Sequence, residues 1–156
     1  QRKSLHHLRP QLEYAASVWD PYSKQKQHQI EMVQRRAARF VCRNYSREAS
    51  VTAMLEGLKW RSLQQRRADI RLVMFYECLH GLVAVNLSND LVPQSRPSRH
   101  CHSMSFHIPH ETKQYIQHSF LPRTLNQWNN LPAAVALAPS VDDFKLGVSG
   151  MNHELV

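Results

Sequence analysis

The stretch IEMVQRRAARFVCR, from Ile30 to Arg43, decides which fold is predicted for this chain. Its apolar residues recur at steps of three and four, at Ile30, Val33, Ala37, Phe40 and Val41. This spacing aligns them along one side of an α-helix. A second line, four residues apart, carries Arg35, Arg39 and Arg43. We therefore predict a helix here and an all-α fold around it.

The charged residues of this helix are almost all positive. Glu31 can pair with Arg35 at helical spacing, whereas Arg39 and Arg43 have no acidic residue three or four positions away. From residue 24 to residue 47 the chain has seven basic residues and one acidic residue, a net formal charge of +6. The basic residues are Lys24, Lys26, Arg35, Arg36, Arg39, Arg43 and Arg47.

Arginine side chains bind phosphates through paired hydrogen bonds, and such contacts hold a nucleic-acid backbone without reading its sequence. We therefore predict that these seven residues form a nucleic-acid-binding site. The alternative is that the arginines pair with carboxylates, either elsewhere in the fold or on an acidic protein surface. Tyr45 and Trp60 could add stacking on bases, although packing in the core is the favoured interpretation of both.

The composition sets the class of protein. With 156 residues, 42% of them hydrophobic, the chain is long enough for one domain with a core. Its net charge of +8 favours a polyanionic partner. The apolar runs are far shorter than the ~20 residues of a membrane span, so no membrane partner is expected. Three cysteines at wide spacing and no signal-peptide core predict reduced thiols in an intracellular protein.

Capping signals divide the chain into three predicted parts. Apolar residues recur at helical spacing from Leu5 to Trp19, Ser50 and Gly57 bracket a short helix, and Ser62 with Gln65 opens a long one. Together these give a helical bundle over residues 1–82. Residues 83–119, rich in Pro, Ser and His, predict an irregular connection. Residues 120–156 predict a C-terminal helical segment that packs on the bundle.

No motif predicts a catalytic, metal or cofactor site. The stretch HCHSMSFHIPH, from His100 to His110, crowds its possible zinc ligands into one loop, where a paired spacing is not met. The aspartates of SVDD, from Ser140 to Asp143, are interpreted as helix-capping residues rather than as magnesium ligands. A nucleophile elbow and a glycine-rich phosphate loop are both absent. We expect no autonomous enzyme activity.

Four longer strings resemble one known family. They are RPQLEYAASVWDPYS, IEMVQRRAARFVCRNYS, SVTAMLEGLKWRSLQQRRADIRLVMFYECLHGL and SFLPRTLNQWNNLP, and they occur in this order. They resemble the region that follows the reverse transcriptase domain in non-LTR (LINE-type) retrotransposon proteins of the jockey kind. The resemblance covers about residues 4–148, and the absence of a starting Met agrees with a piece of a longer protein.

The resemblance implies a function for the piece. The family's full protein combines an endonuclease with an RNA-directed DNA polymerase that copies its own RNA at a nicked chromosomal site. This chain would be the thumb-like helices after the polymerase palm, together with the C-terminus, and would act in the nucleus. The palm's catalytic aspartates would lie upstream, so the piece would not polymerise by itself. Its expected partners are the palm and nucleic acid, whether RNA–DNA hybrid, RNA or DNA. Arg35, Arg36, Arg39 and Arg43 would lie near the phosphates.

Overall fold

The computed structural model describes residues 16, 20–87, 89–95, 102–110 and 113–151. The all-α prediction is confirmed, since the regular structure of these ranges is seven helices and one isolated antiparallel bridge between Pro93 and Phe106. The helices are α1 (Lys24–Cys42), α2 (Val51–Gly57), α3 (Leu63–Leu79), α4 (Gln114–Gln117), α5 (Phe120–Asn129), α6 (Ala133–Ala136) and α7 (Val141–Ser149).

The chain forms two compact units, Gln1–Arg67 and Ala68–Val156, which are called the N-terminal and C-terminal units below. The boundary between them falls within α3. The helix predicted from Leu5 to Trp19 lies outside the described residues, except for Ala16, which is helical and buried. The division into three parts at residues 82 and 119 stays a prediction.

Serine caps begin α2 and α3, as the sequence indicates. The Ser50 hydroxyl accepts a hydrogen bond from the Ala53 amide at 3.3 Å, and α2 follows. The Ser62 hydroxyl accepts the Gln65 amide at 3.2 Å, at the start of α3. Each bond satisfies an amide that the first turn of a helix leaves without a backbone partner. Within the N-terminal unit, α2 packs against α1.

The buried side of α1 is polar and does not follow the apolar line. Gln34 and Ala38 are its buried residues, whereas Val33 and Phe40 are 39% and 59% exposed. The Gln34 side chain donates a hydrogen bond to the Arg61 carbonyl oxygen at 2.9 Å. This side of α1 therefore contacts the segment that leads into α3 through hydrogen bonds, and part of the apolar line is left at the surface.

Three helices of the chain end with the same backbone motif. A residue one or two positions beyond the last helical residue adopts a left-handed conformation, with φ of 50° at Arg43, 54° at Lys59 and 65° at Gly81. In each case the next amide reaches back five residues to a carbonyl oxygen, as when Trp60 donates to Leu55. This is a Schellman motif, which satisfies carbonyls at the helix end and favours glycine. Two of the three positions carry a long basic side chain instead.

Aromatic side chains form the core of the C-terminal unit. Phe75 of α3 lies edge-on to Trp128 of α5, with ring centroids 5.0 Å apart. Tyr76 stacks on Phe144 of α7 at 4.5 Å, and its hydroxyl donates to the Ala138 carbonyl oxygen at 2.7 Å. Trp128 and Phe144 are fully buried. Side chains of α5 and α7 thus pack on the second half of α3.

Part of the irregular connection is attached to α5 by hydrogen bonds. The Trp128 indole donates to the Met104 carbonyl oxygen at 2.8 Å. The Asn129 side chain accepts the Phe106 amide at 3.0 Å and donates to the Phe106 carbonyl oxygen at 2.7 Å. A nitrogen of the His102 ring lies 2.8 Å from the Trp128 carbonyl oxygen. This stretch of the connection is therefore ordered by contacts that replace regular secondary structure.

Candidate nucleic-acid interface

Most of the predicted basic residues lie at the surface of the N-terminal unit. Arg35 and Arg39 are partly buried on α1. The other five are exposed, namely Lys24, Lys26, Arg36, Arg43 and Arg47. We call these seven residues the basic surface. They come from one 19-residue helix and the loop after it, so a single element positions nearly all of them.

The one acidic residue of α1 is directed inward. A carboxylate oxygen of Glu31 accepts a hydrogen bond from the Leu63 amide at 3.0 Å, at the first turn of α3. Burial raises the pKa of this carboxyl, while the Leu63 amide and the positive charges of Arg35 and Arg67 act in the opposite direction. Glu31 is thus a structural residue of the N-terminal unit. The next acidic residue along the chain, Glu48, is exposed.

Arg39 has a structural contact as well as a place on the basic surface. Its guanidinium donates a hydrogen bond to the Ser46 carbonyl oxygen at 2.9 Å. The same loop is closed by the Ser46 amide, which donates to the Asn44 side chain at 3.2 Å. The Ser46 hydroxyl in turn accepts the Glu48 amide at 3.3 Å. Because Arg39 orders this loop, its replacement would alter the loop as well as remove a charge.

An open groove of about 490 Å³ runs beside α1. Its lining includes Arg35, Arg36 and Arg39 of α1 and Val51 from the start of α2. Glu31 lies in the same groove, but its carboxylate is already bonded to the Leu63 amide. Three arginines of the basic surface therefore line one open groove.

Two aromatic side chains lie exposed beside the arginines. Tyr45, which we expected in the core, is 65% exposed, and that expectation is wrong. Phe40 is 59% exposed and follows Arg36 by four residues, so the two share a face of α1. Trp60 is partly buried. A signal for Tyr45 was present in its setting, since it follows the helix end in the polar stretch NYSRE.

Two other arginines are buried and play no part in the basic surface. Arg67 and Arg71 of α3 are each 2% exposed. Arg67 lies 3.6 Å from the Asp20 carboxylate, and burial lowers its pKa. Arg71 donates to the Gln127 side chain at 2.9 Å, and burial together with the charge of Arg123 lowers its pKa to about 9. Nothing in the sequence pattern distinguishes this pair from the exposed arginines.

The histidine loop and the SVDD stretch have structural contacts where they are described. His100 and Cys101 lie outside the described residues, whereas His102 is buried against Trp128. In the described ranges, no group of three or more His, Cys, Asp or Glu side chains could hold a metal ion. The Ser140 hydroxyl accepts a hydrogen bond from the Asp143 amide at 3.1 Å at the start of α7, so the capping interpretation of this stretch is confirmed.

The basic surface is suited to binding phosphate groups. A guanidinium can donate two parallel hydrogen bonds to one phosphate, and the exposed lysines add point charges. Among the described helices, none is both long and apolar enough to cross a bilayer. Comparison of the chain with protein-family models, characterised proteins and solved structures finds no match.

Proposed function

We propose that this chain is a non-catalytic region of a retrotransposon RNA-directed DNA polymerase, comprising thumb-like helices and the C-terminus. In this role the basic surface contacts the backbone of template–primer nucleic acid. Chemistry is supplied by the palm domain that precedes it in the full protein. The chain holds and positions the template–primer. It acts in the nucleus, where the element is copied.

One observation carries the proposal. The basic surface has five exposed positive side chains, while Glu31, the single acid in the same segment, is bonded inward to the Leu63 amide. A solvated helix face usually mixes the two signs of charge. The five exposed side chains carry the same sign of charge, and a polyanion would offset the repulsion between them. Backbone phosphates provide the matching charge at regular spacing.

The family resemblance supports the same assignment. The string IEMVQRRAARFVCRNYS, which resembles the retrotransposon proteins, contains four of the seven basic residues. The confirmed all-α fold agrees with a thumb-like bundle. Contacts of this kind fix orientation on a duplex without reading base sequence.

Binding to an RNA–DNA hybrid tests the proposal. In Arg36→Ala/Arg47→Ala both changes remove an exposed charge, whereas Lys113→Ala/Lys145→Ala removes two exposed charges from the C-terminal unit as a matched control. Exposed charge pairs contribute up to about 1 kcal/mol each, so we expect the first variant to bind about 10-fold more weakly. The control variant should bind like the wild type. Equal losses in both variants would contradict a localised site.

A protein-interaction module is the second candidate. The exposed apolar side chains of Val33 and Phe40, next to Arg36, favour a protein partner with an acidic rim. In that case the chain would bind the separately expressed palm tightly and free nucleic acid hardly at all. Titration of both ligands against the same folded sample separates the two functions.

A further inference from the structure

Aromatic and basic side chains alternate along the end of α1 and the loop that follows. Arg36, Phe40, Arg43, Tyr45 and Arg47 follow in this order along the chain and are all exposed, while Arg39, between the first two, is partly buried. Exposed rings together with cations are the side chains that sites for single-stranded nucleic acid use. We call these five residues the alternating surface.

The loop that carries Tyr45 is held in a defined shape. The Asn44 amide donates to the Arg39 carbonyl oxygen at 3.1 Å, and the Arg39 guanidinium donates to the Ser46 carbonyl oxygen at 2.9 Å. Tyr45 lies between these two anchored residues. Its ring is therefore presented to solvent from an ordered backbone, which lowers the entropy cost of binding through it.

The two kinds of side chain match the two parts of a single strand. A strand without a partner presents alternating phosphates and free base faces, and aromatic rings stack on those faces while cations meet the phosphates. In a duplex the base faces are already stacked on one another, so only the phosphates remain for such a surface to contact. Exposed rings add binding energy only where bases are unpaired.

We propose that the alternating surface binds single-stranded nucleic acid, with Phe40 and Tyr45 stacking on unpaired bases between phosphates held by Arg36, Arg43 and Arg47. This inference rests on the proposed function and names its ligand more closely. In a template–primer, the occupant is the unpaired overhang next to the duplex. The net charge of +6 over residues 24–47 favours this polyanion over an apolar protein partner.

The test uses the full chain and three fluorescent probes at one salt concentration. The probes are a 12-nucleotide oligothymidine, the same backbone with abasic positions throughout, and a 12-base-pair RNA–DNA hybrid. Stacking on one base accounts for about 5-fold in affinity or more. We therefore expect oligothymidine to bind at least about 5-fold more tightly than the abasic strand, which has the same charge but no bases.

Matched variants separate stacking from charge. Phe40→Leu/Tyr45→Leu keeps apolar side chains but removes both rings, and it should bring oligothymidine binding down to the abasic level. Tyr45→Phe keeps a ring and should retain binding. Both positions are exposed, so the folded state should be unaffected, which circular dichroism checks.

The outcomes distinguish this inference from the proposed function. Equal binding of oligothymidine and the abasic strand, with losses only in Arg36→Ala/Arg47→Ala, would overturn the stacking inference and leave phosphate contact intact. Failure of all three probes to bind folded protein would overturn both and favour a protein partner. Loss of oligothymidine binding alone in Phe40→Leu/Tyr45→Leu is the result that supports the inference.

Discussion

The tripeptide Arg-Arg-Ala occurs in both long helices, and its two copies have opposite surroundings. In α1 it is Arg35-Arg36-Ala37, and in α3 it is Arg66-Arg67-Ala68. Arg36 is exposed, whereas Arg67 is 2% exposed and lies beside the Asp20 carboxylate. The same residues in the same secondary structure therefore have different environments. What separates them is the partner that the fold supplies, a carboxylate for one arginine and solvent for the other.

This difference teaches how a basic sequence should be interpreted. The number of arginines in a sequence sets an upper limit on how many can bind a polyanion. Arginines that pair inside the fold do not contribute to that binding. In α3, Arg67 and Arg71 contact Asp20 and Gln127. On α1 the only acid turns toward the Leu63 amide instead of the exposed arginines. Among the residues that the structure describes, exposed positive charge is therefore concentrated on α1 and the loop that follows it.

The largest expected effect on stability comes from replacing the second arginine of each copy with alanine and comparing the two variants. Arg67→Ala leaves a buried Asp20 carboxylate without this partner, and such a loss typically costs about 3 kcal/mol or more. Arg36→Ala should change the free energy of unfolding by no more than about 0.5 kcal/mol. Urea denaturation of both variants measures the contrast. Similar stabilities for the two variants would break the comparison.

A smaller effect is expected at Asn129, whose side chain pairs with both backbone groups of Phe106. Asn129→Ala leaves that amide and carbonyl unpaired, which should cost about 2 kcal/mol. Hydrogen exchange at the Phe106 amide should accelerate more than exchange in α7. Unchanged exchange at Phe106 would show that the connection is ordered by other contacts.

The pH dependence of stability tests whether the Glu31 carboxyl is directed into the interior. Burial raises its folded-state pKa above the ordinary value of 4.5, so the folded protein holds the proton more tightly than the unfolded chain. The resulting contribution to stability is present below pH 4.5 and is lost as the pH rises through the raised pKa. Relative to Glu31→Gln, the wild type should therefore lose stability over that window.

Unfolding free energies of wild type and Glu31→Gln across a pH series test this sign. Glu48→Gln, at an exposed position, corrects for the loss of one negative charge. A wild type that gains stability relative to Glu31→Gln on passing above pH 4.5 would contradict an inward, desolvated carboxyl.

The smallest effect is expected at the end of α2. Lys59 is exposed and left-handed, with φ of 54°, a conformation that costs a side chain about 1 kcal/mol and costs glycine little. Lys59→Gly should raise the free energy of unfolding by about 0.5 kcal/mol. Lys59→Ala keeps the Cβ and should give no such gain. An equal change in both variants would assign the effect to the lost charge.

Local signals were enough to predict much of the fold. Ser50, Ser62 and Ser140 cap helices through atoms three residues away, and these bonds can be inferred from spacing alone. The position of Gly81 near the end of α3 can also be inferred from the sequence, because glycine tolerates a positive φ. Arg43 and Lys59 occupy equivalent helix ends without any such signal.

Long-range partners explain what could not be predicted. Gln34 is buried because its side chain meets the Arg61 carbonyl oxygen, 27 residues away. Glu31 meets an amide 32 residues away, so helical spacing suggested Arg35 alone as its partner. The exposure of Phe40 follows from the same contacts, since they turn a polar side of α1 inward. Spacing within one helix cannot say which side another segment will cover.

The salt dependence of nucleic-acid binding tests the central claim most directly. Each phosphate contact adds about 0.7 to 0.9 to the slope of log affinity against log salt concentration. Arg36→Ala/Arg47→Ala should therefore lower the slope by about 1.5, while Lys113→Ala/Lys145→Ala should leave it unchanged. Identical slopes for the wild type and Arg36→Ala/Arg47→Ala would contradict phosphate contact by the basic surface.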